Sequence, residues 1–154
     1  MVVYDARYNT KYWLTTNYIA NNVHLDDGVT HAVNHITFSD APYPLRRVFF
    51  DPKNNDVVIA VAPATSTPLI QADKSIYGYE EEVPITIYTV DKDGLTGVNV
   101  RQKAEAELRR VAENYPIGTG SLRELTKTRA KETVYAGWTL YSAEYTLRYT
   151  RDLT

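Results

Sequence analysis

Cysteine is absent from the 154-residue chain. Its absence excludes disulfides, thiolate metal sites and thiol nucleophiles, and it suits a reducing compartment. No apolar run reaches the ~20 residues a membrane helix needs, so no membrane partner is expected. The opening MVVYDARYNTKYW has no positive segment followed by an apolar one, so no signal peptide is expected there. A basic excess is lacking too: 17 Lys and Arg stand against 19 Asp and Glu, a net charge of −2. That balance does not suggest phosphate-driven nucleic-acid binding. No P-loop, G-x-G-x-x-G or G-x-S-x-G motif occurs. Neither an enzyme nor a cofactor is expected.

What is abundant is tyrosine, with 13 residues beside 3 Phe and 2 Trp. Tyrosine favours strands and interfaces, because its ring buries while its hydroxyl keeps a polar partner. The length fits one domain, residues 1–154, with a sizeable core.

Periodicity predicts an α+β fold. The clearest element is a helix over about residues 99–115, where Val100, Ala104, Leu108, Val111 and Tyr115 form one apolar stripe. Asn99 stands in the capping position, with Gln102 three residues on, and Pro116 and Gly118 end the helix. Val57 to Ala62, apolar at every position, reads as a strand covered on both faces. Two more strands are expected around Leu69 to Ala72 and Val83 to Val90. Pro84 suggests a strand start or an edge. Ser121 with Glu124 suggests a short helical turn, and alternation from about Lys127 a strand. The last strand, GWTLYSAEYTLRYT, places Tyr141, Ala143, Tyr145, Leu147 and Tyr149 on one face. Leu140, Ser142, Glu144, Thr146 and Arg148 share the other. The expected architecture is a mostly antiparallel sheet under the long helix, plus N-terminal helical segments. One such segment is capped by Thr10, with Leu14 and Tyr18 on one face; a second starts at Asp26 and Asp27 and carries Val29, Val33 and Ile36.

The candidate chemistry is sparse. His24, His31 and His35 are all the histidines, spaced for one helical face. They are weak metal candidates, because Gly28 interrupts the helix and the pair lacks a Glu partner. DKDG at Asp91 to Gly94 lacks the later ligands of a calcium loop and reads as a turn. The triplet Glu80, Glu81 and Glu82 reads as a solvated strand approach, or as a negative surface. Basic Arg123, Lys127, Arg129 and Lys131 would complement it on a neighbouring subunit.

From Phe49 onward the order is strand, loop, apolar strand, extended hairpin, amphipathic helix and two closing strands. VFFD, VVIAVAP, IYGYEEEVPITIYTVDKDG and GWTLYSAEYTLRYT resemble, in that order, corresponding stretches of the tail-terminator (tail completion) proteins of long-tailed bacteriophages, of the lambda type. The resemblance covers about the last two-thirds of the chain. Residues 1–45 depart from it as an atypical extension or insertion. It implies a structural virion protein that caps the tail tube as a ring, typically of six subunits. Such a ring ends tube polymerisation and forms the head-joining surface. The implied partners are further copies, the tube protein and a head-completion or connector protein. DNA passes through without specific binding. The implied location is the head-proximal end of the tail, after assembly in the host cytoplasm. Under this reading Glu80, Glu81, Glu82, Arg129, Lys131, Glu144 and Arg148 are candidate subunit contacts, with Glu144 and Arg148 pairing across the seam.

Another head–tail connector, a His-dependent metal enzyme and a cellular binding module are the alternatives. Metal content separates the enzyme from the rest. Replacing His31 and His35 with Ala should leave zinc, measured by atomic absorption, near zero before and after.

Overall fold

Two long strands organise the chain: β4, Ile76–Val90, and β6, Trp138–Asp152. The computed structural model describes residues 4–18, 35–38, 57–91, 97–118, 123–135 and 138–152. The other elements are α1 (Ala6–Asn17), β1 (His35–Phe38), β2 (Val57–Val61), β3 (Thr65–Ile70), α2 (Gly97–Asn114) and β5 (Arg123–Tyr135). The six strands form one sheet in the order β1-β2-β4-β6-β5, with β3 also paired to β4. Only the β1–β2 pair is parallel. The fold is α+β.

Strand parity decides what is inside. β4 and β6 pair antiparallel from Gly78 against Asp152 to Val90 against Leu140. Residues opposite each other share a face. Val83, Ile85 and Ile87 therefore stand beside Leu147, Tyr145 and Ala143, and all are buried under the helices. Val57, Ile59 and Val61 of β2 join them. Val58 and Ala60 turn to the opposite face, where they cluster with Tyr88, Val90 and Leu140. β2 is thus covered on both faces, as its unbroken apolar run predicts.

α2 lays Val100, Ala104, Leu108 and Val111 on the sheet, and the stripe is as expected. The start is not. α2 begins at Gly97, with Asn99 inside its first turn. The Gly97 N–H donates to the Asp91 carboxylate at 2.6 Å, and Thr89 donates to the Gly97 carbonyl at 2.7 Å. The Tyr141 hydroxyl closes the clasp on Asp91 at 2.9 Å. The side chain just past β4 therefore does the work assigned to a cap within the helix.

α1 is corrected in the same way. It starts at Ala6, and the Asp5 carboxylate accepts the Tyr8 N–H as the cap. Thr10 lies inside the helix, buried, donating to the Ala6 carbonyl. Ala6, Thr10, Trp13 and Leu14 form the buried face. Tyr18, just past the helix, packs against the core and donates to the Ala104 carbonyl at 3.0 Å. Burial, then the charge of Glu107, pushes the Tyr18 hydroxyl pKa far up.

Other boundaries also move. The expected helix through Ile36 gives way to β1, which pairs with β2 at Val58 to Val61. β-branched Ile36 and Thr37 with Phe38 suit that ladder. Residues 25–34 of that helix and the expected strand at Val48 to Asp51 lie outside the described residues. Thr65–Ile70 forms β3, where a break and a strand over Leu69 to Ala72 were expected. β4 begins seven residues before Val83, at Ile76. β5 begins at Arg123, so Glu124 is a strand residue; Ser121 is outside the described residues.

Pro84 is neither a start nor an outer edge. Its carbonyl accepts the Ala62 N–H at 3.0 Å, so its nitrogen faces the corner where β2 passes into β3. β2 ends at Val61, so the donor that proline lacks falls at the very end of that ladder.

Gly97 carries a prediction. A β-carbon there would lie 2.5 Å from the Tyr141 ring and 2.8 Å from the Val90 carbonyl carbon. Gly97→Ala should cost about 1–3 kcal/mol, read as a lower urea midpoint. An unchanged midpoint would mean the ring swings aside freely.

Candidate functional site

The acidic triplet is the natural starting point, because a strand cannot present three consecutive side chains on one face. Glu81 points under the helices and is fully buried. Glu80 and Glu82 point to the other face, and Glu82 is exposed. The solvated-approach reading therefore fails for the middle residue. The Arg151 Nε lies 2.8 Å from Glu81 Oε1, and the Ser66 hydroxyl donates to the other carboxylate oxygen. The same guanidinium is sandwiched between the rings of Tyr4 and Tyr79, at 4.2 and 4.3 Å from their centres. Tyr4 and Tyr149 share a hydroxyl–hydroxyl hydrogen bond of 2.9 Å. Burial is the chief cause that raises both phenol pKa values. The cluster ties the start of α1 to β3, β4 and the end of β6.

A second buried carboxylate, Glu105 of α2, faces β5 and β6. It is 2.7 Å from Lys127 Nζ and 3.3 Å from Arg101 Nε, and accepts the Tyr145 hydroxyl at 2.6 Å. Arg109 donates to the same hydroxyl at 3.2 Å. Burial raises the Glu105 pKa. Hydrogen bonds from Lys127 and Tyr145, with the Lys127 and Arg101 charges, outweigh burial and hold it below the ordinary 4.5. Burial, then the bond to Glu105, raises that of Tyr145. A third carboxylate, Glu107, is forked by Arg110 at 2.6 and 2.8 Å. Arg110 also donates to the Asn17 carbonyl at 2.9 Å, locking α1 to α2.

Among the described residues no helix covers the sheet's other face, and the remaining candidate contacts gather there. Arg148 stands across from Glu82 on β4 and Glu124 on β5. Its Nε is 3.1 Å from Glu80, and its terminal nitrogen donates to Glu124 at 2.7 Å. Glu144 accepts from Arg129 at 2.6 Å. Within the chain, Glu144 is thus paired to β5, and Arg148 to both β4 and β5. Lys131 stands opposite Ser142 on the same face. Toward the other end the face turns apolar at Tyr88, Val90 and Leu140. The Tyr88 pKa is pushed up to about 12 by burial first, with Glu144 adding to it.

The basic stretch of β5 does not stay together either. Lys127 shares the helix face with Tyr145, while Arg129 and Lys131 lie on the opposite face, because a bulge intervenes after Lys127. Arg123 reaches the Glu113 carbonyl at 3.2 Å.

Sequence reasoning missed Glu105, Glu107 and Arg151 as organising charges. The i, i+4 spacing of Arg101 and Glu105 and the i, i+3 spacing of Glu107 and Arg110 were available signals. Arg151 lies beyond the stretch read by parity. Of the histidines, His24 and His31 lie outside the described residues, and His35 sits on β1, off any helical face. Among the described residues no group of three His, Asp or Glu is placed to hold a metal. No helix among them is long and apolar enough to cross a membrane. Models of known protein families give no match to this chain, and curated proteins give none.

Glu105 carries a pH prediction. The folded carboxylate binds its proton less readily than the unfolded one. Its contribution is therefore complete above pH 4.5 and is lost as pH falls through the lower folded value. Glu105→Gln should lower stability at pH 7 by about 1–3 kcal/mol and flatten the decline below pH 4.5. Denaturant midpoints of both proteins across that range test this; parallel declines would place the acid sensitivity elsewhere.

Proposed function

We propose that this chain is a structural subunit of virion assembly, one that caps a phage tail tube as a ring and offers the surface that joins the head. The observation that carries the reading is the sheet's pair of unlike edges. Among the described strands, β5 lies at one edge with Arg123, Lys127, Arg129 and Lys131 along it. β1 and β3 share the other, β3 beside the start of β4 with Glu80 and Glu82 on that adjoining strand. A ring is built from heterologous contacts, in which one patch of each subunit meets a different patch of the next. Two unlike edges on one sheet provide two such patches. The order of elements from Val57 onward also agrees with the order that carries the resemblance to tail terminators.

The mechanism is complementarity, with no bond made or broken. The ring would occupy the growing end of the tube and leave no surface for another tube subunit. A net charge of −2 suits a channel that passes DNA without gripping its phosphates. The head-facing surface would then receive a connector protein.

Light scattering coupled to size exclusion should give a closed oligomer, six subunits under the resemblance, alone or on tail tubes. A monomer under both conditions overturns the reading. Within that test, Glu144→Lys should weaken assembly while shifting folding stability by about 1 kcal/mol or less, because the Arg129–Glu144 pair is solvent-exposed.

A further inference from the structure

The β3–β4 hairpin tip holds the largest concentration of exposed apolar side chains among the described residues. Ile70, Ile76 and Tyr77 are 61%, 42% and 46% exposed, and all flank one turn. The turn is well held. The Gln71 N–H donates to the Ser75 carbonyl at 2.9 Å, and the Lys74 N–H to the Gln71 carbonyl at 2.9 Å. Asp73 accepts both the N–H and the hydroxyl of Ser75, at 2.9 and 2.6 Å. Lys74 takes the left-handed conformation, with φ at 66°. A rigid, apolar projection loses little entropy when it docks. A cluster of exposed Ile and Tyr on a preorganised turn is the composition of a binding anchor.

A receptor for it lies on the same subunit, at the opposite edge and at the same end of the sheet. The start of β4 pairs with the end of β6, and the end of β6 pairs with the start of β5. There a groove of about 240 Å³ opens between α2 and β5, lined by Arg109, Ala112, Glu113, Arg123 and Leu125. Ala112 and Leu125 give an apolar floor, and the three charged residues form the rim. The tip's own charges match: Asp73 would meet Arg109 and Arg123, and Lys74 would meet Glu113. In its own subunit the tip is two strands away from this groove, so it reaches only the groove of another copy.

We propose that the β3–β4 hairpin tip of one subunit seats in the α2–β5 groove of the next, and that this contact propagates the ring. The inference rests on the ring reading and supplies its seam. It sets Ile70, Ile76 and Tyr77 on the apolar floor, with the Asp73 and Lys74 charges outside them on the rim. Repetition of one such contact around an axis closes a ring without any symmetric patch.

Introduced cysteines test it cleanly, because the chain has none of its own. Gln71→Cys and Glu113→Cys are prepared in separate full-length proteins and as one double variant. Under mild oxidation each single variant should stay monomeric on a non-reducing gel. Their mixture should give covalent dimers. The double variant should give a ladder ending at the subunit number of the ring. In a second arm, Ile70→Asp with Tyr77→Asp should abolish the oligomer peak in light scattering and leave Tm unchanged, because both side chains are exposed. Dimers from Gln71→Cys alone would mean a symmetric contact and overturn the proposal. A closed oligomer with no mixed disulfide, or one that survives the double Asp substitution, overturns this seam and leaves the ring reading standing. A monomer both alone and on tail tubes, with no mixed disulfide in either condition, overturns both.

Discussion

The register between β4 and β6 is the constraint on which the other contacts rest. Gly78 sits against Asp152, and every position from there to Val90 against Leu140 follows from that match. A slip of one residue would turn Val83, Ile85 and Ile87 away from the helices and push Glu80, Glu82 and Thr86 inward. Gly78 itself helps to hold the register. A side chain there would strike the Arg151 carbonyl, 2.6 Å from the position of a β-carbon. The Arg151–Glu81 pair forms only in this alignment, since it needs both side chains on the helix face. Apolar matching and buried charge therefore enforce the same register, one through area and the other through the penalty for an unpaired ion.

Three buried glutamates give the interior an unusual polar skeleton for a small sheet protein. Each is answered by arginine or lysine: Glu81 by Arg151 of β6, Glu105 by Lys127 of β5 and by Arg101 within α2, and Glu107 by Arg110 within α2. Such pairs add little net stability compared with well-packed apolar residues, but losing one partner is expensive. Their effect is positional. Glu81 fastens β4 to the end of β6, Glu105 fastens α2 to β5, and Glu107 with Arg110 fastens α2 to the end of α1. The tyrosines complete the skeleton. Tyr145 and Tyr149 bury their rings and pass their hydroxyls to Glu105 and Tyr4. Tyr4, Tyr18 and Tyr115 pack against the core beside them, whereas Tyr8, Tyr12 and Tyr77 are exposed.

Legibility followed the strength of the period. α2 announced itself through an apolar stripe that only a 3.6-residue repeat satisfies, and β6 through strict alternation over nine residues from Tyr141 to Tyr149. β2 was legible because an unbroken apolar run of that length suits a doubly covered strand. Local signals failed where tertiary contacts took over. Asn99 is a good cap in isolation, yet Asp91, the residue after β4, reaches the helix start first. Pro84 argues against a strand interior, yet the donor it lacks falls where the β2 ladder ends, just past Val61. Ile36 at helical spacing fits a helix or a strand equally well, and pairing with β2 decided for the strand. The candidate contacts were the least legible. Strand parity separates Glu81 from Glu80 and Glu82, but no pattern in one dimension says that Arg148 lies between two acidic strands.

The position of β6 has a consequence for biosynthesis. It lies between β4 and β5 in space, yet the ribosome delivers it after both. Until it emerges, β4 has no neighbour on one flank, β5 has nothing to pair with, and α2 covers half a floor. The hairpin of β3 and β4 and the helix can form locally as they appear, but the central gap closes only when the final strand threads in. The nascent chain thus keeps an adhesive flank exposed from the completion of β4 until β6 follows. Its commitment to the native sheet waits on that strand.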